Sequence, residues 1–218
     1  MTDCPGLILE RCCTCVADVC EALVAGAARV ELCECLEVGG VTPSENLIDQ
    51  AVRVGLPVNV LVRPRGGSFV FSDEEVRTML ADIRMCRRLG AHGVVIGALR
   101  PDGDVDMDIM RLLMAEAQGN GTERRLSVTF HRAFDCCRDP FTSFDDVIGL
   151  GCDRLLTSGH EDTAPEGAAL IAELVSRAEG RIIVMPGSGV TPENIRDLAL
   201  KTGAGEFHGT RLAALKKF

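Results

Sequence analysis

The order of apolar patterns along the chain constrains the fold more than any other feature of the sequence. Runs that alternate apolar and polar residues, as strands do, are each followed by a run with helical spacing. Over the 218 residues this makes eight strand–helix units of about 27 residues each. The predicted strands cover residues 7–12, 29–33, 57–63, 93–99, 126–131, 154–157, 181–185 and 206–208.

Strands that alternate with helices pair in parallel, and eight such units most simply close into a TIM (β/α)8 barrel. The alternative is an open doubly wound sheet, which needs a Gly-rich loop after the first strand. Cys12-Cys13-Thr14-Cys15 is no such loop. We therefore predict an α/β fold in which residues 1–218 form a single parallel TIM-barrel domain. The last predicted helix, Leu212–Lys217, is short, which leaves an apolar flank for a neighbouring subunit, so we expect a homo-oligomer, a dimer or tetramer.

Two of the helices begin with recognisable capping motifs. Ser72-Asp73-Glu74-Glu75 has the spacing of a capping box, in which the first and fourth side chains each bind the other residue's backbone. Thr42-Pro43-Ser44-Glu45 offers a similar cap at Thr42, followed by a first-turn proline. We expect a helix to start directly after each cap.

Five of the predicted strands end in two polar or sulfur-containing residues separated by one residue. Since side chains alternate across a strand, both members of such a pair lie on the same face. In a TIM barrel, ligands sit at the C-terminal ends of the strands, so the five pairs are expected to converge there. The pairs are Glu10 and Cys12, Glu31 and Cys33, Arg63 and Arg65, Thr129 and His131, and Glu206 and His208.

Composition excludes several kinds of partner. The net charge of −9 argues against nucleic acid or an anionic membrane surface, because either needs a basic footprint. No run of about 18 apolar residues predicts a membrane span, and the first residues do not resemble a secretory signal. Eleven cysteines without an export signal indicate a reducing compartment with mostly free thiols. A metal ion or a small anionic ligand is the expected partner.

Several motifs together resemble the copper homeostasis protein CutC family over residues 7–209. They include Val30-Glu31-Leu32-Cys33, Arg63-Pro64-Arg65-Gly66-Gly67, Thr129-Phe130-His131-Arg132-Ala133-Phe134-Asp135, Leu156-Thr157-Ser158-Gly159 and Glu206-Phe207-His208. The resemblance implies a cytoplasmic, commonly oligomeric TIM barrel that is assigned to copper handling. The two cysteines implicated in copper binding in the family match Cys12 and Cys33.

A physical argument for a Cu(I) site at Cys12 and Cys33 does not need the resemblance. Both cysteines end predicted strands that should be neighbours about 4.8 Å apart. Two thiolates at that separation could hold one soft Cu(I) ion between them. The alternative is that both are small buried residues at the barrel rim, since free cysteine is among the most buried residue types.

The remaining polar residues predict a charged cavity that could act on a small anionic substrate. Arg63 and Arg65 could clamp a carboxylate or phosphate, while Ser158, Gly187 and Gly189 lie in loops that follow the sixth and seventh strands. The alternative is that these charges form a satisfied buried network and that the glycines only turn the chain. The candidates for acid–base catalysis are Glu10, Glu31, His131, Asp135, Glu206 and His208.

Overall fold

The structure is a computed structural model that describes residues 6–119, 121, 123–210 and 212. Eight strands alternate with seven α-helices in this part of the chain. The strands are β1 Ile8–Cys13, β2 Arg29–Leu32, β3 Val58–Leu61, β4 Gly93–Ile96, β5 Ser127–Phe130, β6 Arg154–Thr157, β7 Ile183–Pro186 and β8 Glu206–Gly209. The helices are α1 Val16–Val24, α2 Glu45–Arg53, α3 Asp73–Leu89, α4 Met107–Gln118, α5 Pro140–Gly149, α6 Ala168–Ala178 and α7 Ile195–Thr202.

All the paired strands run parallel and together form a nearly closed barrel. Each strand from β1 to β7 pairs with the next one along the chain, and β8 pairs with β1. β7 lies beside β8 and completes the circle without a regular hydrogen-bonded ladder. The predicted TIM barrel is therefore confirmed. Apart from Leu212, the predicted last helix lies outside the described residues.

The two predicted helix caps have different outcomes. The Ser72 hydroxyl accepts a hydrogen bond from the Glu75 backbone, and the Glu75 carboxylate accepts one from Ser72, so this capping box is confirmed. The cap predicted at Thr42 is wrong, because α2 begins after Ser44. The Thr42 hydroxyl instead accepts from the Arg63 backbone N–H at 2.9 Å, which fixes the end of β3 to the loop before α2.

The apolar core surrounds the barrel, whereas much of the barrel interior is polar. Large buried side chains such as Phe130, Phe134 and Phe207 belong to the main core cluster. The alternate residues on the same strands point inward, and they include several charged side chains that are also buried. The buried polar and charged side chains on these strands or just beyond their ends include Glu10, Arg29, Glu31, Asn59, Arg63, Thr129, His131 and Glu206.

A second, smaller apolar cluster lies nearer the C-terminal ends of the strands. It contains only Cys12, Cys33, Leu61 and Val95, which come from four adjacent strands or their ends. Glu10 precedes Cys12 on β1 by two residues and therefore lies on the same face, deeper in the barrel. The interior thus has a charged layer below a layer with two thiols. None of the described helices is both long and apolar enough to cross a bilayer.

Candidate functional site

A cavity of about 710 Å³ opens at the C-terminal ends of the strands. It is lined by residues from both ends of the chain, which the closure of the barrel brings together. This is the place where TIM barrels bind their ligands. Among the predicted site residues, those that line it are Cys12, Glu31, Cys33, Arg63, His131, Gly189 and His208.

Cys12 and Cys33 form a close thiol pair in this cavity. Their sulfur atoms are 3.7 Å apart, and the side chains are 8% and 0% exposed. The hydrogen bond to Cys33, burial and the nearby Glu31 carboxylate all raise the pKa of the Cys12 thiol. The sulfurs and a Glu31 carboxylate oxygen all lie within 4.8 Å of one another. Two soft ligands and one oxygen ligand therefore meet at one point.

Arg29 holds together the charged layer beneath the thiols. Its guanidinium donates to Glu10 at 2.5 Å and to Glu206 at 2.5 Å. Arg154 donates to the same Glu206 oxygen at 2.9 Å, and the Asn59 amide donates to Glu10 at 3.0 Å. Each carboxylate in this layer therefore has more than one partner, as buried charges require.

His208 connects the charged layer to the cavity. Its Nδ1 lies 2.9 Å from a Glu10 oxygen, while the side chain also lines the cavity. Burial favours the neutral imidazole, but the charges of Glu31 and Glu10 outweigh it and raise the pKa of His208. Burial also opposes ionisation of Glu10, yet the His208 hydrogen bond and the Arg29 charge lower its pKa to about 2. We therefore assign Glu10 as an ionised carboxylate, and its charge favours the protonated form of the His208 imidazole.

Glu31 differs from the other buried carboxylates because its charge has no direct partner. Its Oε2 atom is buried and has no hydrogen-bond partner among the described residues. Burial raises the pKa of Glu31 to about 7, and the neighbouring Glu10 adds to the effect, while His208 opposes it. A carboxyl group that changes its protonation near neutral pH is suited to exchange protons or to accept a cation.

His131 and Arg63 lie on the wall of the cavity that Phe69 covers. The Phe69 ring centroid is 5.0 Å from the His131 ring and 4.6 Å from the Arg63 guanidinium carbon. The Ala133 backbone donates to His131 Nδ1, so a neutral ring carries its proton on Nε2. Burial and the Arg63 charge lower the pKa of His131 to about 3, which keeps the ring neutral. Gly97 leaves room for it, since a Cβ there would lie 2.6 Å from the imidazole.

Six of the predicted site residues lie outside the cavity lining, namely Glu10, Arg65, Asp135, Ser158, Gly187 and Glu206. Arg65 turns away and donates to Glu75 at 2.6 Å and to the carbonyls of its own loop, so it holds that loop in place. Asp135 accepts from Thr157 at 2.5 Å, from Ser158 and from Arg132, which fixes the loop after β6.

Gly187 lies behind the His208 ring, and a Cβ at this position would lie 2.5 Å from Leu156. Glu206 belongs to the charged layer beneath the cavity and is neutralised there by two arginines.

Sequence reasoning did not identify Arg29, Arg154, Asn59 and Phe69 as part of this region. Three of them could have been found from the same two-residue period that placed the polar pairs. Arg29 lies two residues before Glu31, and Arg154 and Asn59 each lie on the inward face of their strand. Phe69 follows an irregular loop, and no periodic signal predicts where such a ring will lie.

Comparisons with known proteins agree on one family. The family model described as CutC family matches residues 7–213. A family protein CutC of Parabacteroides distasonis is 50% identical over 203 residues, which cover 92% of this chain and 81% of that protein. A family protein CutC of Xylella fastidiosa is 51% identical over 196 residues, which cover 89% of this chain and 71% of that protein.

A solved structure shows the same fold in a relative. The structure of CutC from Streptococcus agalactiae, a protein named for copper homeostasis, has a TM-score of 0.87 and 36% identity. The similarity covers 94% of this chain and 99% of that one. The resemblance seen in the motifs is therefore confirmed by sequence and by structure.

Removal of the central arginine should destabilise the barrel strongly. Arg29→Met leaves Glu10 and Glu206 buried with fewer positive partners, so we expect the free energy of unfolding to fall by about 3–5 kcal/mol. Arg53→Met is the control, because Arg53 forms an exposed pair with Asp49 and should cost no more than about 1 kcal/mol. Urea denaturation of both variants measures the difference. Equal losses would show that the charged layer does not hold the barrel together.

The raised pKa of Glu31 predicts a pH-dependent stability in the metal-free protein. The pKa of the Glu31 carboxyl is about 7 in the folded protein, whereas a glutamate exposed to water has a pKa of 4.5. Ionisation therefore costs the folded state free energy as the pH rises through this window, on the order of 3 kcal/mol in total. Glu31→Gln lacks this cost, so its stability relative to the wild type should increase from pH 5 to pH 8. Denaturation curves at both pH values measure it, and a constant difference would contradict the prediction.

Proposed function

The chain belongs to the CutC family, and on that premise we propose that it functions in copper homeostasis by binding Cu(I) through the thiolates of Cys12 and Cys33. The observation that carries the proposal is the buried pair of sulfurs 3.7 Å apart at the mouth of the barrel. Cu(I) is a soft ion that prefers thiolate ligands. On this proposal copper is the cargo of the protein.

The residues around the two cysteines fit a metal ion. With metal–sulfur bonds of about 2.3 Å, one ion can contact both sulfurs at their present separation. The neighbouring Leu61 and Val95 exclude water from one side of the pair, while the cavity gives access from the other. Thiols must lose their protons to bind metal, so the raised pKa of Cys12 implies that binding is tighter at higher pH.

We also propose that the chain acts as one domain in the cytoplasm and as a homo-oligomer. The described cysteines are all free, which suits a reducing compartment. Val24 near the end of α1 is 90% exposed and Leu200 in α7 is 69% exposed, although both are apolar. Exposed apolar side chains on the outer helices are suited to pack against another subunit.

Two matched substitutions test copper binding. The double variant Cys12→Ser, Cys33→Ser should lose one tightly bound Cu(I) ion per chain in a competition titration against a chromophoric Cu(I) chelator. Cys13→Ser is the control, since Cys13 is also fully buried on β1 but its thiol bonds the Arg11 carbonyl within the outer core. The control should bind copper as the wild type does. Retention of the tight site in the double variant would exclude this pair as the ligands.

A second candidate function is an enzyme that acts on a small anionic substrate through the same cavity. Arg63 is 5% exposed, and among the described residues its guanidinium donates only to the backbone carbonyls of Val38, Gly40 and Gly67. Within the described part of the chain, Arg63 Nε and His131 Nε2 have no hydrogen-bond partner. A buried cation without a carboxylate partner favours an anionic ligand. In this proposal Glu31 and His208 are the candidates for proton transfer.

Thermal denaturation with small anions distinguishes the second function from the first. If sodium acetate or sodium phosphate binds at Arg63, it should raise the Tm in a saturable way, by about 5–10 °C at a concentration of about 100 Kd. The increase should be lost in Arg63→Gln and kept in Arg65→Gln, because Arg65 lies outside the cavity. Circular dichroism checks that both variants fold. Absence of any saturable increase, or its persistence in Arg63→Gln, would count against this function.

A further inference from the structure

Glu31 adds a third possible metal ligand to the thiol pair, one more than the proposed binding of Cu(I) by two thiolates needs. Cys12 and Cys33 each contribute a sulfur, and Glu31 contributes a carboxylate oxygen within 4.8 Å of both. The three side chains come from β1, β2 and the end of β2, and the pairing of the two strands sets Cys12 opposite Glu31. The arrangement therefore depends on the register of the barrel and not on a mobile loop.

Glu31 has no structural task that would explain its position. Its Oε2 atom is buried without a hydrogen-bond partner among the described residues, and the side chain forms no ion pair there. Glu10 and Glu206, in contrast, are each held by arginine. A buried carboxylate oxygen without a partner is costly, so a residue at this position is expected to gain its partner from a ligand.

We propose that Cys12, Cys33 and Glu31 form a three-ligand site for Zn(II), with the fourth coordination position facing the cavity. The proposal rests on the proposed role of the two cysteines as metal ligands and extends it to a divalent ion. Carboxylate oxygen is a poor match for soft Cu(I) but a common ligand of zinc, together with cysteine sulfur.

The spacing of the ligands supports a tetrahedral ion. At a metal–sulfur distance of about 2.3 Å, two sulfurs 3.7 Å apart subtend an angle of about 107° at the ion, close to the tetrahedral value. Zinc sites with three protein ligands keep the fourth position for water or substrate. The adjacent cavity of about 710 Å³ is large enough to hold a water molecule or a small substrate at that position. His208 groups instead with Glu10 and Glu31, so we place it beside the ion and not among its three ligands.

Metal titrations of matched variants test this inference. The metal-free protein is titrated with ZnCl2 in competition with a chromophoric chelator, and separately with CoCl2, whose visible absorption reports tetrahedral coordination and whose near-ultraviolet absorption reports thiolate ligands. Glu31→Gln should lower the Zn(II) affinity by more than the ~10- to 100-fold that loss of a supporting residue costs. It should also change the visible Co(II) spectrum while leaving the thiolate band. Glu193→Gln is the control, because Glu193 also lines the cavity but belongs to neither candidate metal group.

A parallel Cu(I) titration separates this inference from the proposed function. We expect Glu31→Gln to bind Cu(I) as the wild type does, since the thiolates remain. Unchanged Zn(II) affinity in Glu31→Gln would overturn the inference and leave copper binding intact. An equal loss of Zn(II) and Cu(I) affinity would also overturn it, because Glu31 would then act through general electrostatics. Glu31-dependent Zn(II) binding without any Cu(I) site would instead overturn the proposed function alone.

Discussion

The ion pairs of Arg29 inside the barrel are the interaction on which the rest of the site depends. This arginine joins Glu10 of β1 to Glu206 of β8, and these strands belong to opposite ends of the chain. These ion pairs form only when the barrel has closed, and once formed they hold β8 beside β1. Buried ion pairs seldom increase stability beyond that of an apolar replacement. Their value here lies in placing charges beneath the cavity at fixed positions.

The charged layer sets the electrostatic environment of the cavity above it. Glu10 stabilises the cationic form of His208, and the same carboxylate raises the pKa of Glu31. Glu31 and His208 line the cavity beside the thiol pair, while Glu10 lies one inward-facing residue deeper on β1, so these charges are close to the ligand space. A substitution in the charged layer can therefore change the proton affinity of Glu31 and His208 without altering a residue of the cavity wall.

The sequence predicted the barrel because periodicity is a local signal that repeats eight times. It also predicted that Cys12, Cys33, Glu31 and His208 converge, since alternation decides which face each one occupies. The pattern could not separate Arg63 from Arg65. Both belong to one polar pair, but β3 ends at Leu61, and beyond it the chain leaves the strand geometry on which alternation depends. Loop hydrogen bonds to Glu75 then decide where Arg65 points.

Charge balance favours a divalent ion over Cu(I) when Glu31 is ionised. Around Glu31, the carboxylates of Glu10, Glu31 and Glu206 face the guanidiniums of Arg29 and Arg154 and the imidazole of His208, so this set is neutral when His208 is cationic. Arg63 is held by backbone carbonyls beside Phe69 and is not part of this set. Two thiolates add two negative charges. Zn(II) cancels both, whereas Cu(I) cancels one and leaves a net negative charge. A buried net charge is unfavourable, so Cu(I) binding is expected to retain a proton on Glu31, whereas Zn(II) binding is expected to release it. The same carboxyl group would thus adapt one thiol pair to ions of different charge.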